Sequence, residues 1–453
     1  MKKNLFNRIR LGPSAVIALG FAVLILVGTL LLMLPISSED GRSEAFLTCV
    51  FTATSASCVT GLVLVDTASN WSFFGESVII SMIQIGGLGF MTMAILLSLL
   101  IKRRISPKER QLVAQSFNLS SYGGIVKLTK KIIRGTFILE GIGALVLSTR
   151  FVPMFGWIRG VWKATFTSIS AFCNAGFDLM GKDFGEFSSL TEHWDDPVIN
   201  ITVMFLIVTG GIGFVVWDDV YKLIFEKKKL SLYSQMILIT SAILLFGGAF
   251  VFLCLECNNP GTLGEMPWGG KILASFFQSV TARTAGFNTV DLCSMMPVTK
   301  IVFILLMFIG GCSGSTAGGV KVGTVAVVFM CVLNALAGRS DVVIFKRKIS
   351  DNNVRRALAV VVLQFAVTML GAIVIIGGGA GVMDAMFEAF SASGTVGVTL
   401  SLTGSLNLWG KLTIIILMYF GRVGILTVSF AVMSKLSESK KEYRKAEANV
   451  MVG

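Results

Sequence analysis

Ala56-Ser57-Cys58-Val59-Thr60-Gly61-Leu62 is one of four related stretches in this chain, and the relation among them decides the fold. The others are Phe172-Cys173-Asn174-Ala175-Gly176-Phe177, Arg283-Thr284-Ala285-Gly286-Phe287 and Gly394-Thr395-Val396-Gly397-Val398. Ten residues before each glycine stands a phenylalanine: Phe51, Phe166, Phe276 and Phe387. The copies recur roughly every 110 residues, and self-similarity at a fixed period marks an internal repeat. One aromatic at this offset would be chance. Four make a pattern.

The surroundings are those of a membrane protein. Of 453 residues, 54% are hydrophobic and only 14% charged, and the mean hydropathy is +0.79. Apolar runs near the length needed to cross a bilayer, about 20 residues, recur at 14–34, 77–101, 132–149, 198–217, 234–254, 298–334, 357–378 and 411–433. The first run is too long for the apolar core of a cleaved signal peptide, and no small-residue cleavage site follows it. The net charge of +13 would suit nucleic acid only as a basic stripe on a folded surface. Instead the cations cluster at Lys2–Arg10, Lys102–Arg134, Lys222–Lys229, Arg339–Arg356 and Lys435–Lys445, while acids such as Glu39, Asp40, Asp183, Glu186, Asp195 and Asp196 occupy the alternate loops. With both termini cytoplasmic, every loop obeys the positive-inside rule, and nucleic-acid binding is set aside.

Each repeat reads as a span, a short apolar hairpin and a returning span. The boundaries fall at residues 11–104, 125–229, 230–340 and 352–437, with a cytoplasmic tail at 438–453. The run from Glu44 to Ser57 is too short to span and suits a re-entrant half-helix. Non-helical backbone at membrane depth persists only when buried in protein or lining a wet cavity. Four such segments therefore imply one shared central cavity. The expected fold is an all-α integral membrane protein of eight transmembrane helices and four re-entrant pore helices.

The returning spans carry a second repeated signature: Ile85-Gly86-Gly87-Leu88-Gly89-Phe90, Thr209-Gly210-Gly211-Ile212-Gly213-Phe214, Ile309-Gly310-Gly311-Cys312-Ser313-Gly314 and Phe420-Gly421-Arg422-Val423-Gly424-Ile425. In the first two copies small residues at a helix–helix contact suffice as explanation. In the third, Gly310, Gly311, Ser313, Gly314, Ser315, Thr316, Gly318 and Gly319 stand within ten residues. Each glycine costs a helix about 1 kcal/mol against alanine, so this stretch is expected to break the span as a loop before Lys321. The fourth copy has Arg422 where the others have glycine. An arginine in mid-membrane costs at least about 2.5–3.5 kcal/mol, so it is expected to face a wet cavity.

Enzyme chemistry finds little support. The single histidine, His193, lies in an acidic outer loop. Gly176 to Asp183 nearly spells a phosphate-binding loop, but Asp183 replaces the serine or threonine that would hold Mg²⁺. The eight cysteines, including Cys254 and Cys257, form no metal or disulfide framework. The glycine repeats make a better site. Glycine adopts backbone angles closed to other residues, so consecutive carbonyls can turn to one axis and replace the water around a monovalent cation. The backbone oxygens in question belong to Val59, Thr60 and Gly61; Asn174, Ala175 and Gly176; Thr284, Ala285 and Gly286; Thr395, Val396 and Gly397.

These motifs resemble the potassium-transporter superfamily of Trk, Ktr and plant HKT proteins, most closely the Ktr-type membrane subunit, over about Leu11 to Ser437. The resemblance implies four membrane–pore–membrane repeats in pseudo-fourfold array, K⁺ uptake across the cell membrane and assembly as a homodimer. It also implies that Gly310–Gly319 forms a gate beneath the filter beside Arg422. An octameric cytosolic ring of nucleotide-binding RCK subunits would control that gate, and this chain itself would hold no nucleotide. A glycine at position 61, rather than serine, goes with preference for K⁺ over Na⁺. No copy holds a full Thr-Val-Gly-Tyr-Gly filter, so fewer carbonyl rings and a less strict exclusion of Na⁺ are expected. Two other transport readings remain open from the residues: a Na⁺- or H⁺-coupled symporter using Glu140, which the sequence places alone near an inner edge, and a non-conducting translocating subunit of an ATP-driven cation pump.

Overall fold

The computed structural model describes residues 13–89, 125–339, 341–345 and 347–425. The cationic runs at 2–10, 102–124 and 435–445, the ends of the spans at 90–101 and 426–433, and the tail at 438–453 lie outside the described residues.

Among the described residues, four single helices are both long and apolar enough to cross a membrane: α1 (Pro13–Leu32), α4 (Ile125–Phe155), α8 (Leu232–Glu256) and α12 (Asp351–Gly377). Helix α1 is apolar all round, as its sequence PSAVIALGFAVLILVGTLLL shows, and 20 residues at 1.5 Å each reach about 30 Å, the thickness of a bilayer core. Leu19, Leu26, Phe137, Ile243, Phe246, Phe250, Leu370 and Ile373 on these helices are largely exposed. So much contiguous apolar surface belongs against lipid rather than water.

Each long helix is followed by a shorter one that ends inside the molecule: α2 (Phe46–Cys58), α5 (Trp157–Cys173), α9 (Trp268–Thr281) and α13 (Val382–Gly394). The cause of termination is local. Val59, Asn174 and Thr395 take the left-handed conformation at the helix ends, and Thr284 does so three residues beyond α9. Non-glycine residues avoid this region, so its recurrence at one place in each copy is a constraint of the fold.

The returning helices correct the expectation of continuous spans broken only once. Helix α3 (Phe73–Leu88) stops at Gly89, and α14 (Leu408–Val423) stops at Gly424. Helix α6 (Pro197–Gly211) gives way to α7 (Phe214–Glu226) through a 102° bend at Ile212 and Gly213. Gly89, Gly213 and Gly424 share φ of 84°, 97° and 88° with ψ of 133°, 134° and 131°, a combination that only glycine adopts without strain. The third copy is interrupted between α10 (Pro297–Phe308) and α11 (Val322–Leu336). The glycines of the other three copies thus break their helices as well as packing against neighbours.

Packing closes the series. The short helix of each unit lies against the long one, α2 on α1, α5 on α4, α9 on α8 and α13 on α12. Each returning helix also packs on the short helix of the next unit: α3 on α5, α6 on α9, α10 on α13, and α14 back on α2. Phe51, Phe166 and Phe387 are fully buried in this packing. In the third copy Phe277 takes the buried place, and Phe276 is only half-buried against Phe246.

Candidate functional site

The four glycines meet. A methyl built on Gly61 would lie 2.5 Å from the Ala175 carbonyl oxygen and 3.2 Å from Gly176 Cα. One on Gly176 would lie 2.6 Å from Gly286 Cα, one on Gly286 2.8 Å from the Val396 carbonyl oxygen, and one on Gly397 would strike the Thr60 carbonyl oxygen and sit 3.0 Å from Gly61 Cα. The contacts run 61 to 176 to 286 to 397 and back to 61. All four have positive φ, at 94°, 71°, 87° and 94°, so a side chain is excluded both by conformation and by its neighbour.

The segments are held from below by the helices they leave. The N–H groups of Thr60, Ala175 and Val396 each donate at 2.8 Å to a serine carbonyl five residues back, those of Ser55, Ser170 and Ser391. Ser55 and Ser391 also act through their side chains, whose hydroxyls accept from the N–H of Gly61 at 3.0 Å and of Gly397 at 3.1 Å. Sequence reasoning missed these serines, although a serine stands six residues before the glycine in three of the four copies. The third copy uses Thr281 instead, whose carbonyl accepts from Ala285 N–H at 3.0 Å and whose hydroxyl donates to the Phe287 carbonyl.

The interrupted third copy folds directly beneath. Its ends pair as a parallel bridge between Ile309 and Val320, with Gly310 N–H to the Val320 carbonyl at 2.9 Å and Val322 N–H to the Gly311 carbonyl at 3.0 Å. The loop is tied to α6 by Cys312 N–H to Gly211 and Thr316 N–H to Gly210, at 2.9 and 3.2 Å, and to α14 by Gly319 N–H to the Gly421 carbonyl at 3.2 Å. A methyl on Gly318 would strike the Thr395 side chain, and one on Gly310 the Gly318 carbonyl. Gly311, Ser313, Gly314 and Ser315 complete the turn, and the Ser315 hydroxyl donates to the Cys312 carbonyl at 2.7 Å.

Arg422 joins this loop to the first unit. Its guanidinium donates to the carbonyls of Thr316 and Gly86, and to that of Gly87 at 2.8 Å. Among the described residues no carboxylate pairs with it. Carbonyl partners satisfy a buried guanidinium without neutralising its charge. Together with Lys321, whose Nζ donates to the Ala317 carbonyl at 2.8 Å, Arg422 lines a cavity of about 680 Å³ under the loop.

Other expectations need adjusting. Glu140 is neither alone nor at an edge. It lies midway along α4, 5% exposed, and accepts from Gln84 Nε2 at 3.2 Å, with Cys173 Sγ 4.0 Å from its carboxylate. A helix of 31 residues extends well beyond the 132–149 run, so the apparent edge is its middle. The near-match to a phosphate loop is spoken for: Gly181–Phe184 is one helical turn, Lys182 pairs with Glu39 at 2.7 Å and Asp183 pairs with Lys163. His193 packs edge-on against Phe184 at 5.1 Å. Burial lowers its pKa from the usual value, against the pull of Asp196, Asp195 and Glu192. All eight cysteines are free.

The chain has full-length sequence relatives and a solved structural counterpart of its overall fold. The profile of the TrkH family, described as cation transport protein, matches residues 13–444. The chain is 40% identical to the potassium/sodium uptake protein NtpJ of Enterococcus hirae, covering 100% of this chain and 99% of that one. It is 41% identical to the Ktr system potassium uptake protein B of Bacillus subtilis, over 98% of each. The solved potassium transporter TrkH of Vibrio parahaemolyticus superposes with a TM-score of 0.73 at 16% identity, covering 96% of this chain and 88% of its own. By profile match and by full-length identity to these relatives, the chain belongs to the TrkH family of cation transport proteins, a family of membrane transporters and not of enzymes.

Proposed function

We propose that this protein takes up K⁺ across the cell membrane through a filter of backbone carbonyls, with the interrupted third returning helix as its gate. The observation that carries this is the closed circuit of four glycines. Four chain segments with the same left-handed turn and the same positive-φ glycine are adjacent around one axis. Such a ring can replace the hydration shell of a monovalent cation. Three short helices deliver their carboxyl ends to it at Val59, Asn174 and Thr395, where the helix dipole favours a cation. The oxygens of Val59–Gly61, Asn174–Gly176, Thr284–Gly286 and Thr395–Gly397 form the ion sites, arranged with pseudo-fourfold symmetry. Residues 310–319, pinned by Arg422, stand between that filter and the inner cavity.

Partners follow from the family and from relatives named as parts of a Ktr system. A cytosolic ring of nucleotide-binding RCK subunits docks on the basic face and moves the loop, and the membrane chain is a homodimer. K⁺ is cargo, not a resident cofactor. A second reading, coupling to Na⁺ or H⁺, is favoured by one observation: Glu140 is a buried carboxylate within reach of Cys173, the last residue of a short helix that leads into the ring. The Na⁺ version also has a relative named as a potassium/sodium uptake protein.

Flux in vesicles tests the filter. Gly61→Ser and Gly286→Ser should each lower K⁺ over Na⁺ preference by about tenfold, because a side chain there must push a neighbouring carbonyl out of line. Unchanged selectivity in both would remove the filter assignment. A dependence of K⁺ flux on a Na⁺ or pH gradient, lost in Glu140→Gln, would favour the coupled reading instead.

A further inference from the structure

The loop is not attached equally to the four filter segments. Thr316 makes the connection. Its hydroxyl is shared between the Phe172 carbonyl and Asn174 Oδ1, 3.1 Å from each. Asn174 Nδ2 then donates to Thr284 Oγ1 at 3.4 Å, in the neighbouring filter segment. The same Thr316 holds α6 through its N–H and accepts from Arg422 on its carbonyl. Asn174, Thr284 and Thr316 are all 1% exposed or less. A methyl on Gly210 would strike the Phe172 carbonyl and sit 2.9 Å from both Asn174 Oδ1 and Thr316 Oγ1, so this glycine is what lets loop and filter touch. At the matching positions of the other copies, Val59 has no hydrogen-bonding side chain, and the Thr395 hydroxyl has no partner among the described residues.

We propose that Asn174 is a positioning residue: its carboxamide and the Thr316 hydroxyl form the latch that holds the loop against the filter, and through Thr284 it ties loop position to the shape of two filter segments at once. This rests on reading residues 310–319 as the gate. Two buried polar groups that part must each find another partner, so the loop leaves only when water or an ion can enter behind it. Opening then frees Asn174 Oδ1 at the inner end of the filter, and changes to the latch reach the second and third segments before the first and fourth.

The test is K⁺ flux into proteoliposomes without any cytosolic partner. Thr316→Val keeps the volume and deletes the hydroxyl. It should raise regulator-free flux about tenfold, the scale of one buried hydrogen bond, while Thr316→Ser, which keeps the hydroxyl, brings flux back toward the starting level. Asn174→Ala should raise flux similarly, and the double variant should exceed neither single one, as for two halves of one interaction. Wild-type flux in Thr316→Val, or additive effects in the double variant, would overturn the latch. If Thr316→Val does not assemble, Asn174→Ser is read in its place. The latch fails separately from the readings beneath it: a flat response in Thr316→Val alongside a raised flux in Arg422→Ala removes the latch and leaves the gate. Unchanged selectivity in Gly61→Ser and Gly286→Ser concerns the filter alone.

Discussion

The four glycines that meet in the ring and the glycines of the returning helices both recur four times, yet the two sets differ in what varies around them. At the ring, backbone is kept and side chains vary: Val59, Asn174, Thr284 and Thr395 differ in chemistry but share the left-handed turn, and the glycine two residues on always has positive φ. In the returning helices, three copies share one glycine conformation, while the third opens into a loop and the fourth gains an arginine that reaches across to it. On the function proposed above, the shared backbone gives an ion equivalent walls, and the divergence leaves a single obstacle to move, where four equal ones would have to be moved together.

The largest effect that could break this contrast is expected at the divergent end. Arg422→Ala, or a deletion within residues 310–319, should raise K⁺ flux without the regulator by about tenfold or more, since charged hydrogen bonds such as those of Arg422 are each worth about 1.5–3 kcal/mol. Flux at the wild-type level in both would mean that the loop is only packing. A smaller effect should sharpen the filter end. Ser55→Ala and Ser391→Ala strip a partner from the Gly61 and Gly397 N–H groups and should lower K⁺ over Na⁺ preference about threefold by loosening those segments. A loss confined to overall flux would show that these serines only stabilise the helices.

Gly213→Ala probes the shared helix break. It should lower folding stability in detergent by about 1–3 kcal/mol, because alanine is strained at this φ and ψ, and thermal denaturation would register the loss. The smallest effect concerns His193, remote from both regions. Its folded pKa is depressed by burial, so the stability it contributes is present above its unfolded pKa of about 6.5 and fades as pH falls through the lower folded value. The denaturation midpoint should drop on the order of 1 °C more between pH 7 and 5 in the wild type than in His193→Asn.

Much of the fold was legible because the constraints were local and repeated. The long apolar helices α1, α4, α8 and α12 announced themselves by length and hydropathy. The turn–glycine segments could be read from their offset to a phenylalanine. The breaks at Gly89, Gly213 and Gly424 were not legible, because a glycine within an apolar run serves close packing and a helix break equally well. The distinction depends on φ, which the tertiary structure sets. Ser55 and Ser391 were visible as types but not as partners of the glycine N–H groups, and Glu140 looked marginal because α4 extends past its most apolar stretch.

The sequence by itself determined that this chain lives in a membrane, and that one turn–glycine motif recurs four times, each glycine ten residues after a phenylalanine. Apolar length, period and the conformational privilege of glycine are properties of the chain alone. Only the tertiary structure decided that Gly61, Gly176, Gly286 and Gly397 form one circuit, that Arg422 grips three carbonyls rather than a carboxylate, and that Thr316 reaches Asn174. Those contacts join residues a hundred or more positions apart, and one sequence with no alignment carries no signal for which distant groups will meet.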